Sequence, residues 1–368
     1  MNIVYIITKA DEIGGAQIHV RDLSIAMSQL GHTVTVIVGE YGALTEQLGE
    51  SNINYIVESK LTRNISPLKD LLCVIKLRSI LKKLDPDVVT LHSSKAGIIG
   101  RAALIGSKIP CIFTAHGWAF ADGISQKHQR VYILIEKLFS KFCSKIITVS
   151  HQDKNLAIKY NVAPSNKQVI IHNGIPDNTV NFPKNNNSSN IVNIICVARF
   201  SAQKDHVTLL KALSHIKQLN WKLNLVGKGP LEQDVKKLAN GLGLDEKISF
   251  LGERRDVNYL LSSSDIFILP SNWEGLPISI IEAMSFSLPI IASNVGGVSE
   301  MVSSSNGFLI PRGNIEAMSK AITTLLENKE DRINMGRSSR KIYCDSFNFQ
   351  TMLDKTHNLY CQVSEKNK

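Results

Sequence analysis

Two glutamates, Glu274 and Glu282, lie eight positions apart in the segment SNWEGLPISIIEAMSFSLPIIAS, residues 271–293. Gly275 and Pro277 set a tight turn between them, and the backbone amides of Gly275, Leu276 and Ile278 can point out of it at the start of the helix ISIIEAM. A helix amino terminus is a seat for phosphate, because its first N–H groups lack intrahelical partners and carry the positive end of the dipole. One carboxylate at the turn and one behind it suit two sets of hydroxyls; the plain alternative is a solvated helix face. In CVARFSAQKDH (196–206), Arg199 and Lys204 combine a planar fork with a point charge, a set that neutralises a diphosphate or lines a polar loop. The run LNLVGKGPLEQDVKKLA (223–239) reads as strand, Gly227-x-Gly229 turn and helix, and Gly14 and Gly15 stand between the first strand and the first helix. Amides in a diglycine loop can approach a phosphate without steric hindrance. His116 ends a strand in TAHGWAFADG (114–123), where it either meets a substrate or caps the core. His92 and the turn at Asn173-Gly174 are further candidates.

These residues need elements to hold them. NIVYIIT, TVTVIVG, DVVTLH, CIFTAH and KIITVS are short runs rich in Val, Ile and Thr, suited to parallel strands buried on both faces. Helical patterns lie between them, among them AQIHVRDLSIAMSQLG, closed by Gly31, and PLKDLLCVIKLRSILKKL, closed before Pro86. The alternation restarts after residue 190 with VNIICVARF, WKLNLVG, ISFLG, DIFILP, PIIAS and GFLI. The expected architecture is therefore α/β, with two doubly wound Rossmann-like domains in tandem. The first spans 1–176; a polar, Asn-rich linker follows over 177–190; the second spans 191–340; and 341–368 forms a carboxy-terminal helix packing back on the first domain. Ligands in such folds collect at the carboxyl ends of the strands, in a cleft where two domains face each other.

Composition narrows the function. The 368 residues fit two cores, with 43% hydrophobic and 20% charged residues. No run reaches the ~18 apolar residues of a membrane span. The start MNIVYIITKADEIGG lacks a basic region before its apolar run and reads directly as a strand, not as a signal peptide. Six scattered cysteines without a CxxC pair argue against a disulfide scaffold or structural zinc and for a reducing, cytoplasmic setting. Of the +10 net charge, residues 1–176 hold +7, from 20 Lys and Arg against 13 Asp and Glu. Such a half suits an anionic partner; nucleic acid is not expected, since no recognised motif or aromatic-studded basic strand accompanies the charge. The segments KDLLCVIKLRSILKK and KHQRVYILIEKLFSKFCSK are basic and amphipathic, as helices on the inner face of an anionic membrane would be, although core-facing helices with solvated lysines are the slightly simpler reading.

The wording EGLPISIIEAM resembles the E-x7-E motif of family 4 retaining glycosyltransferases, which adopt the GT-B fold. The resemblance implies that Glu274 contacts the donor sugar's hydroxyls and Glu282 the nucleotide ribose. Residues 196–206 are similar to the family's G-R-L-x-x-x-K-G-x-D segment, in which Arg199 and Lys204 would bind the donor diphosphate; Ala198 and His206 depart from the pattern without changing the charged groups. The Gly227–Gly229 turn matches G-x-G-P, and SNVGGVSEMV, with Gly296, Gly297 and Glu300, matches G-G-x-x-E. In the first domain the resemblance puts Gly14 and Gly15 against the donor phosphates, His116 near the reacting centre, His92 on the acceptor side and Asn173-Gly174 at the interdomain crossover. The matches run in order from residue 14 to residue 300.

What this implies is a retaining transfer from a nucleotide diphosphate sugar, uridine being the usual base and guanosine the runner-up, with neither cofactor nor metal. Positive charge and oriented amides would stabilise the leaving diphosphate in place of a divalent ion. Asp85-Pro86-Asp87, the one Asp-x-Asp pair, reads as a helix-to-strand turn. Retention often signals a carboxylate nucleophile, but the family is argued to react on one face, which assigns Glu274 to positioning. The acceptor implied is a saccharide, lipid-linked in many relatives that build bacterial envelope polysaccharides. Two other readings stand beside this one: a sugar-nucleotide epimerase of GT-B architecture, and a non-catalytic sugar-nucleotide-binding protein. A nicotinamide-dependent oxidoreductase would use Glu40 for the ribose but lacks the GxGxxG fingerprint.

Overall fold

The computed structural model describes residues 1–121, 123–179 and 190–365, so most of the expected linker, 180–189, lies outside the described residues. The chain divides into two compact units, Met1–Asn173 with Gln350–Lys368, and Gly174–Phe349.

The first unit is built on seven parallel strands: β1 (Asn2–Ile7), β2 (Thr33–Val38), β3 (Asn54–Val57), β4 (Val88–His92), β5 (Cys111–Ala115), β6 (Lys145–Thr148) and β7 (Gln168–Ile170). Their spatial order is β3-β2-β1-β4-β5-β6-β7. Central strands are apolar throughout because both faces are covered: Val4, Ile6, Val89 and Leu91 are fully buried. Helices α1 (Gly15–Gln29), α2 (Ala43–Glu50), α3 (Pro67–Leu84), α4 (Ser94–Ala103), α5 (Gln126–Phe139) and α6 (His151–Lys159) make the crossovers. Ser93, Ser125 and Ser150 cap α4, α5 and α6 through their hydroxyls, each accepting from an amide of the first turn. Asp85-Pro86-Asp87 joins α3 to β4, with the Asp87 carboxylate accepting the Asn2 amide at 2.7 Å, which ties the start of β1 to β4.

The second unit has six parallel strands: β8 (Val192–Val197), β9 (Trp221–Val226), β10 (Ile248–Gly252), β11 (Ile266–Leu269), β12 (Ile290–Ser293) and β13 (Gly307–Ile310), in the order β10-β9-β8-β11-β12-β13. Around it lie α7 (His206–Ser214), α8 (Glu232–Gly241), α9 (Val257–Ser262), α10 (Ile278–Ser285), α11 (Ile315–Glu327) and α12 (Lys329–Ile342). In each sheet the strand order reverses once, between β1 and β4 and between β8 and β11; these are the topological switch points where doubly wound folds bind ligands.

The helical pattern expected near the carboxyl terminus is broken. A π-turn, Tyr343–Phe347, and the extended residue Asn348 separate α12 from α13 (Phe349–Glu365). The break lets the Ile175 amide bond to the Phe347 carbonyl at 3.2 Å and the Phe349 amide to the Ile175 carbonyl at 2.9 Å. From Gln350 onward α13 belongs to the first unit: the Tyr360 hydroxyl lies 3.2 Å from Thr90 Oγ1, and His357 Nε2 lies 2.8 Å from His32 Nε2.

The basic amphipathic segments face the core with part of their apolar residues: Val74, Ile80 and Leu84 of α3 and Tyr132 and Ile133 of α5 pack against it, while others stay exposed. α3 buries only Cys73, Leu77 and Leu81 and leaves Leu68, Leu71, Leu72 and Ile75 more than half exposed. On α5, Leu134 and Leu138 are exposed, and the one fully covered side chain is Glu136, which is paired with Arg101 at 2.7 Å. The reason is packing: α4 fills the space between α3 and α5, so each of the outer helices has apolar surface to spare. No helix among the described residues is long and apolar enough to cross a membrane. All six cysteines are free thiols.

Candidate functional site

In the second unit the candidate residues leave the sheet at its switch point. Arg199 follows β8, Lys204 ends the 3₁₀ turn Ala202–Lys204, and Glu274 follows β11. The Lys204 ammonium and the Glu274 carboxylate form an ion pair, and Glu274 also accepts the Ser271 hydroxyl at 2.5 Å. Gln203 spans the two loops, donating to the Trp273 carbonyl at 2.9 Å. Beside it, Asn272 donates its amide to the Gln203 carbonyl at 2.7 Å and its side chain to the Ala202 carbonyl at 2.8 Å, while the Asn272 side-chain oxygen accepts from Arg312 at 2.8 Å. The Glu274 side chain is 5% exposed and that of Lys204 15%, so the pair is shielded at the mouth of the strands. Glu282 stands one turn inside α10, half-buried, and Arg199 is exposed.

Glycine makes this close approach possible. Gly296 has φ +57°, and a Cβ there would overlap the Glu274 carbonyl oxygen; the Gly297 amide donates to the Gly275 carbonyl at 2.8 Å. Gly227, at φ +138°, lies against the Ala198 carbonyl, and Gly229 against that of Phe200. Four loops, after β8, β9, β11 and β12, are thereby drawn together. Pro277 precedes α10 without capping it, while Leu276 and Ile278 turn their side chains inward.

The first unit gathers a second group at its own switch point. Gly14 and Gly15 are exposed at the start of α1, and His92 ends β4. His92 is fully buried, with Nε2 3.0 Å from Thr90 Oγ1 and Nδ1 3.0 Å from His116 Nε2. It therefore reaches a ligand only through the half-buried His116, and not as a direct acceptor-side wall. His19, on α1, completes the cluster, its ring 4.8 Å edge-on from that of His116. Burial holds the His19 imidazole down to about 4, against the opposing pull of Asn173, a residue itself almost fully covered. Burial likewise holds His92 and His116 well below the ordinary histidine range, and the neighbouring imidazoles add to the effect. All three rings are neutral at pH 7.

Residues 13–179 match the family described as Glycosyltransferase Family 4, and residues 177–342 match Glycosyl transferases group 1. The chain is 32% identical over 348 residues to the UDP-Gal:alpha-D-GlcNAc-diphosphoundecaprenol alpha-1,3-galactosyltransferase of Escherichia coli, covering 90% of this chain and 89% of that one. It belongs to the family 4 glycosyltransferases. The O-antigen biosynthesis glycosyltransferase WbnH of Escherichia coli is 29% identical over 349 residues, 95% of this chain and 92% of that one. Anabaena Alr3699/HepE, solved in complex with UDP and glucose, superposes with a TM-score of 0.84 at 22% identity, covering 98% of this chain and 99% of that one, which shows the GT-B fold of two Rossmann-like domains.

In this glycosyltransferase the structure brings Lys204, Glu274, Gly275 and the Gly227–Gly229 and Gly296–Gly297 turns together in one unit, and His92, His116 and Asn173 together in the other. Sequence reasoning missed His19, Ser271, Gln203 and Asn272. His19 carried a usable signal, since it lies four residues after Gly15 and so on the same face of α1 as the diglycine loop. Ser271 sits three residues from Glu274 on the same loop, and Gln203 and Asn272 are ordinary polar residues whose role depends on loops some 70 positions apart meeting.

Proposed function

We propose that this glycosyltransferase moves a hexose, with retention of configuration and without a metal, from a UDP-sugar to a lipid-linked saccharide during assembly of a bacterial envelope polysaccharide. The observation that carries the acceptor class is the 32% identity, over nine tenths of both chains, to an enzyme named for a diphosphoundecaprenol-linked acceptor. UDP-galactose is accordingly the first donor to try.

In this reading the donor diphosphate lies against Arg199 and Lys204, with the glycines at 14 and 15 approaching its phosphates from the first unit. Donor binding replaces the Lys204–Glu274 ion pair: the ammonium turns to the diphosphate, and the freed carboxylate takes the sugar hydroxyls. Preorganised cations then stabilise charge as the anomeric bond breaks. The leaving phosphate accepts the acceptor hydroxyl's proton, and Glu274 positions the sugar. His116 contacts the transferred sugar from the first unit, while His92 and Asn173 hold His116 and His19 in place. Glu282 binds the ribose.

The acceptor's lipid would be met at the cytoplasmic face of the membrane. Exposed Leu68, Leu71 and Leu72 on α3 lie among exposed Lys69 and Lys76, and exposed Leu134 and Leu138 on α5 among Lys127, Arg130 and Lys137. Apolar side chains ringed by cations suit the boundary of an anionic bilayer.

The test is transfer of labelled sugar from UDP-galactose, UDP-glucose or their N-acetyl counterparts to a diphosphoundecaprenol-linked sugar, read as label extracted with the lipid. One donor giving lipid-extractable label supports the reading. Label recovered solely as an epimerised nucleotide sugar, or no turnover of any donor alongside tight binding, would replace transfer by epimerisation or by sensing.

A further inference from the structure

The three histidines of the first unit form more than a packed cluster. Each of His19, His92 and His116 offers one ring nitrogen such that the three nitrogens lie within 4.8 Å of one another. His92 Nδ1 and His116 Nε2 are already 3.0 Å apart. His19 Nδ1 is buried with no hydrogen-bond partner among the described residues, in a side chain only 5% exposed. A buried polar nitrogen without a partner is costly and calls for an explanation.

We propose that His19, His92 and His116 form a binding site for a divalent transition-metal ion of the zinc class, and that its occupancy blocks the sugar transfer proposed above by engaging His116.

Zinc takes neutral imidazoles at about 2.0–2.1 Å, which spaces tetrahedral donors roughly 3.4 Å apart. The His92–His116 pair is near that spacing now, and the His19 nitrogen, within 4.8 Å of both, closes the rest of the distance on binding. The outer shell is in place as well. With Nδ1 on the metal, His92 keeps a proton on Nε2 to donate to Thr90 Oγ1, at 3.0 Å, and Thr90 is in turn held by the Tyr360 hydroxyl on α13 at 3.2 Å. Metal-bound imidazoles are commonly steadied in this way through their second nitrogen. His116 is half-buried, so the site is walled by protein on the side of His19 and His92 and open on the other. That arrangement leaves a fourth position for water, as in three-histidine zinc centres. An all-imidazole donor set suits zinc, cobalt, nickel or copper and is poor for magnesium or calcium, which prefer oxygen. Binding displaces the His116 Nε2 proton to Nδ1 by tautomerisation, with no net loss of a proton.

Cobalt(II) serves as the probe, because its visible absorption reports imidazole coordination without reference to catalysis. The full chain, freed of metal with EDTA and dialysed, should gain the band of a four-coordinate site at one equivalent, and zinc should displace it while magnesium should not. His19→Gln should weaken cobalt binding at least tenfold, whereas His128→Gln and His215→Gln, which alter imidazoles outside any cluster of metal-ligating groups among the described residues, should leave it unchanged. Should His19→Gln fold poorly, imidazole nitrogen NMR of the wild-type chain carries the test: zinc should shift the signals of His19, His92 and His116. Cobalt uptake equal in wild type and His19→Gln, or zinc that shifts other imidazoles instead, would overturn the site. Transfer should fall in step with zinc occupancy and return with EDTA; full activity at full occupancy would overturn the block. Because the inhibition rests on the transfer reading, the outcomes separate: metal bound by a chain that never transfers sugar keeps the site and removes the transfer, and transfer by a chain that takes up no metal does the reverse.

Discussion

Lys204 and Glu274 hold each other in the ligand-free protein, and that pairing makes each residue's contribution measurable. With the Glu274 side chain 5% exposed, removal of Lys204 leaves a shielded carboxylate to Ser271 and Gln203 alone. Lys204→Ala should therefore lower turnover roughly 100- to 1,000-fold, the usual effect of losing a preorganised donor at a developing oxyanion, and also destabilise the fold by about 1–3 kcal/mol. Adding Glu274→Gln should restore much of that stability, since the stranded charge is gone, and none of the activity. Denaturant unfolding of the four proteins in the cycle checks this, and additive stability losses would show that the pair is not coupled. Glu282→Ala should differ: a ribose contact serves ground and transition states alike, so donor KM should rise with kcat nearly unchanged. A kcat effect for Glu282 paired with a KM effect for Lys204 would mean that the two roles are exchanged. At this scale the sequence was informative where chemistry is local, as in EGLPISIIEAM. It was silent on Gln203 and Asn272, whose types are common and whose meaning comes from a partner on another loop, and on Ser271, a common type three residues from Glu274.

Elements set how closely those residues can meet. Gly296→Ala introduces a Cβ into the Glu274 carbonyl at a backbone angle that suits glycine, so the turns after β11 and β12 must separate. The expected cost is about 1–3 kcal/mol in urea unfolding, together with weaker donor binding; stability and KM equal to wild type would mean that the two turns are not pressed together in solution. A second element-level property is acid sensitivity. His206 opens α7, buried against Phe200 with ring centroids 4.4 Å apart, and burial, helped by the Lys204 ammonium, holds its pKa down to about 4. A folded-state pKa below the unfolded value of about 6.5 means that the unfolded chain takes up the proton first. Stability from this group is full above pH 6.5 and is lost as the pH falls toward 4, at up to ~1.4 kcal/mol per pH unit. His206→Phe should thus shrink the stability difference between pH 7 and pH 5 by roughly 2 kcal/mol relative to wild type; an unchanged difference would place a protonated His206 in the fold. Most elements could be read from sequence because central parallel strands must be apolar on both faces. The edge strands β3 and β7 of the first sheet could not, since they are only four and three residues long and never fully buried along their length. The break at Tyr343–Phe347 was also hidden, because the residues around it keep a helical period and only the pairing with Ile175 interrupts them.

For the whole molecule, a net charge of +10 and the uncovered apolar residues of α3 and α5 act together. Binding to anionic vesicles should exceed binding to neutral ones and weaken as salt rises from 0.1 to 1 M, where the Debye length drops from about 10 to about 3 Å. Leu68→Ser with Leu71→Ser should reduce the binding at every salt concentration while leaving transfer to a short-chain, water-soluble acceptor intact. Vesicle binding identical in the double variant would return those leucines to the ordinary apolar scatter of protein surfaces. The proposed metal-free transfer belongs to this scale too: it should continue in excess EDTA, and loss on chelation with recovery in magnesium or manganese would mean that Arg199 and Lys204 do not neutralise the diphosphate unaided. The central claim, retaining transfer of a UDP-linked hexose to a lipid-linked saccharide, is tested most directly by NMR of the product formed from UDP-[1-13C]galactose and a diphosphoundecaprenol-linked N-acetylglucosamine in the presence of EDTA. The account predicts an anomeric carbon bonded to the acceptor sugar with the larger one-bond carbon–hydrogen coupling and the narrow proton doublet of the α configuration. A β linkage, or label confined to free sugar and nucleotide sugar, would contradict it.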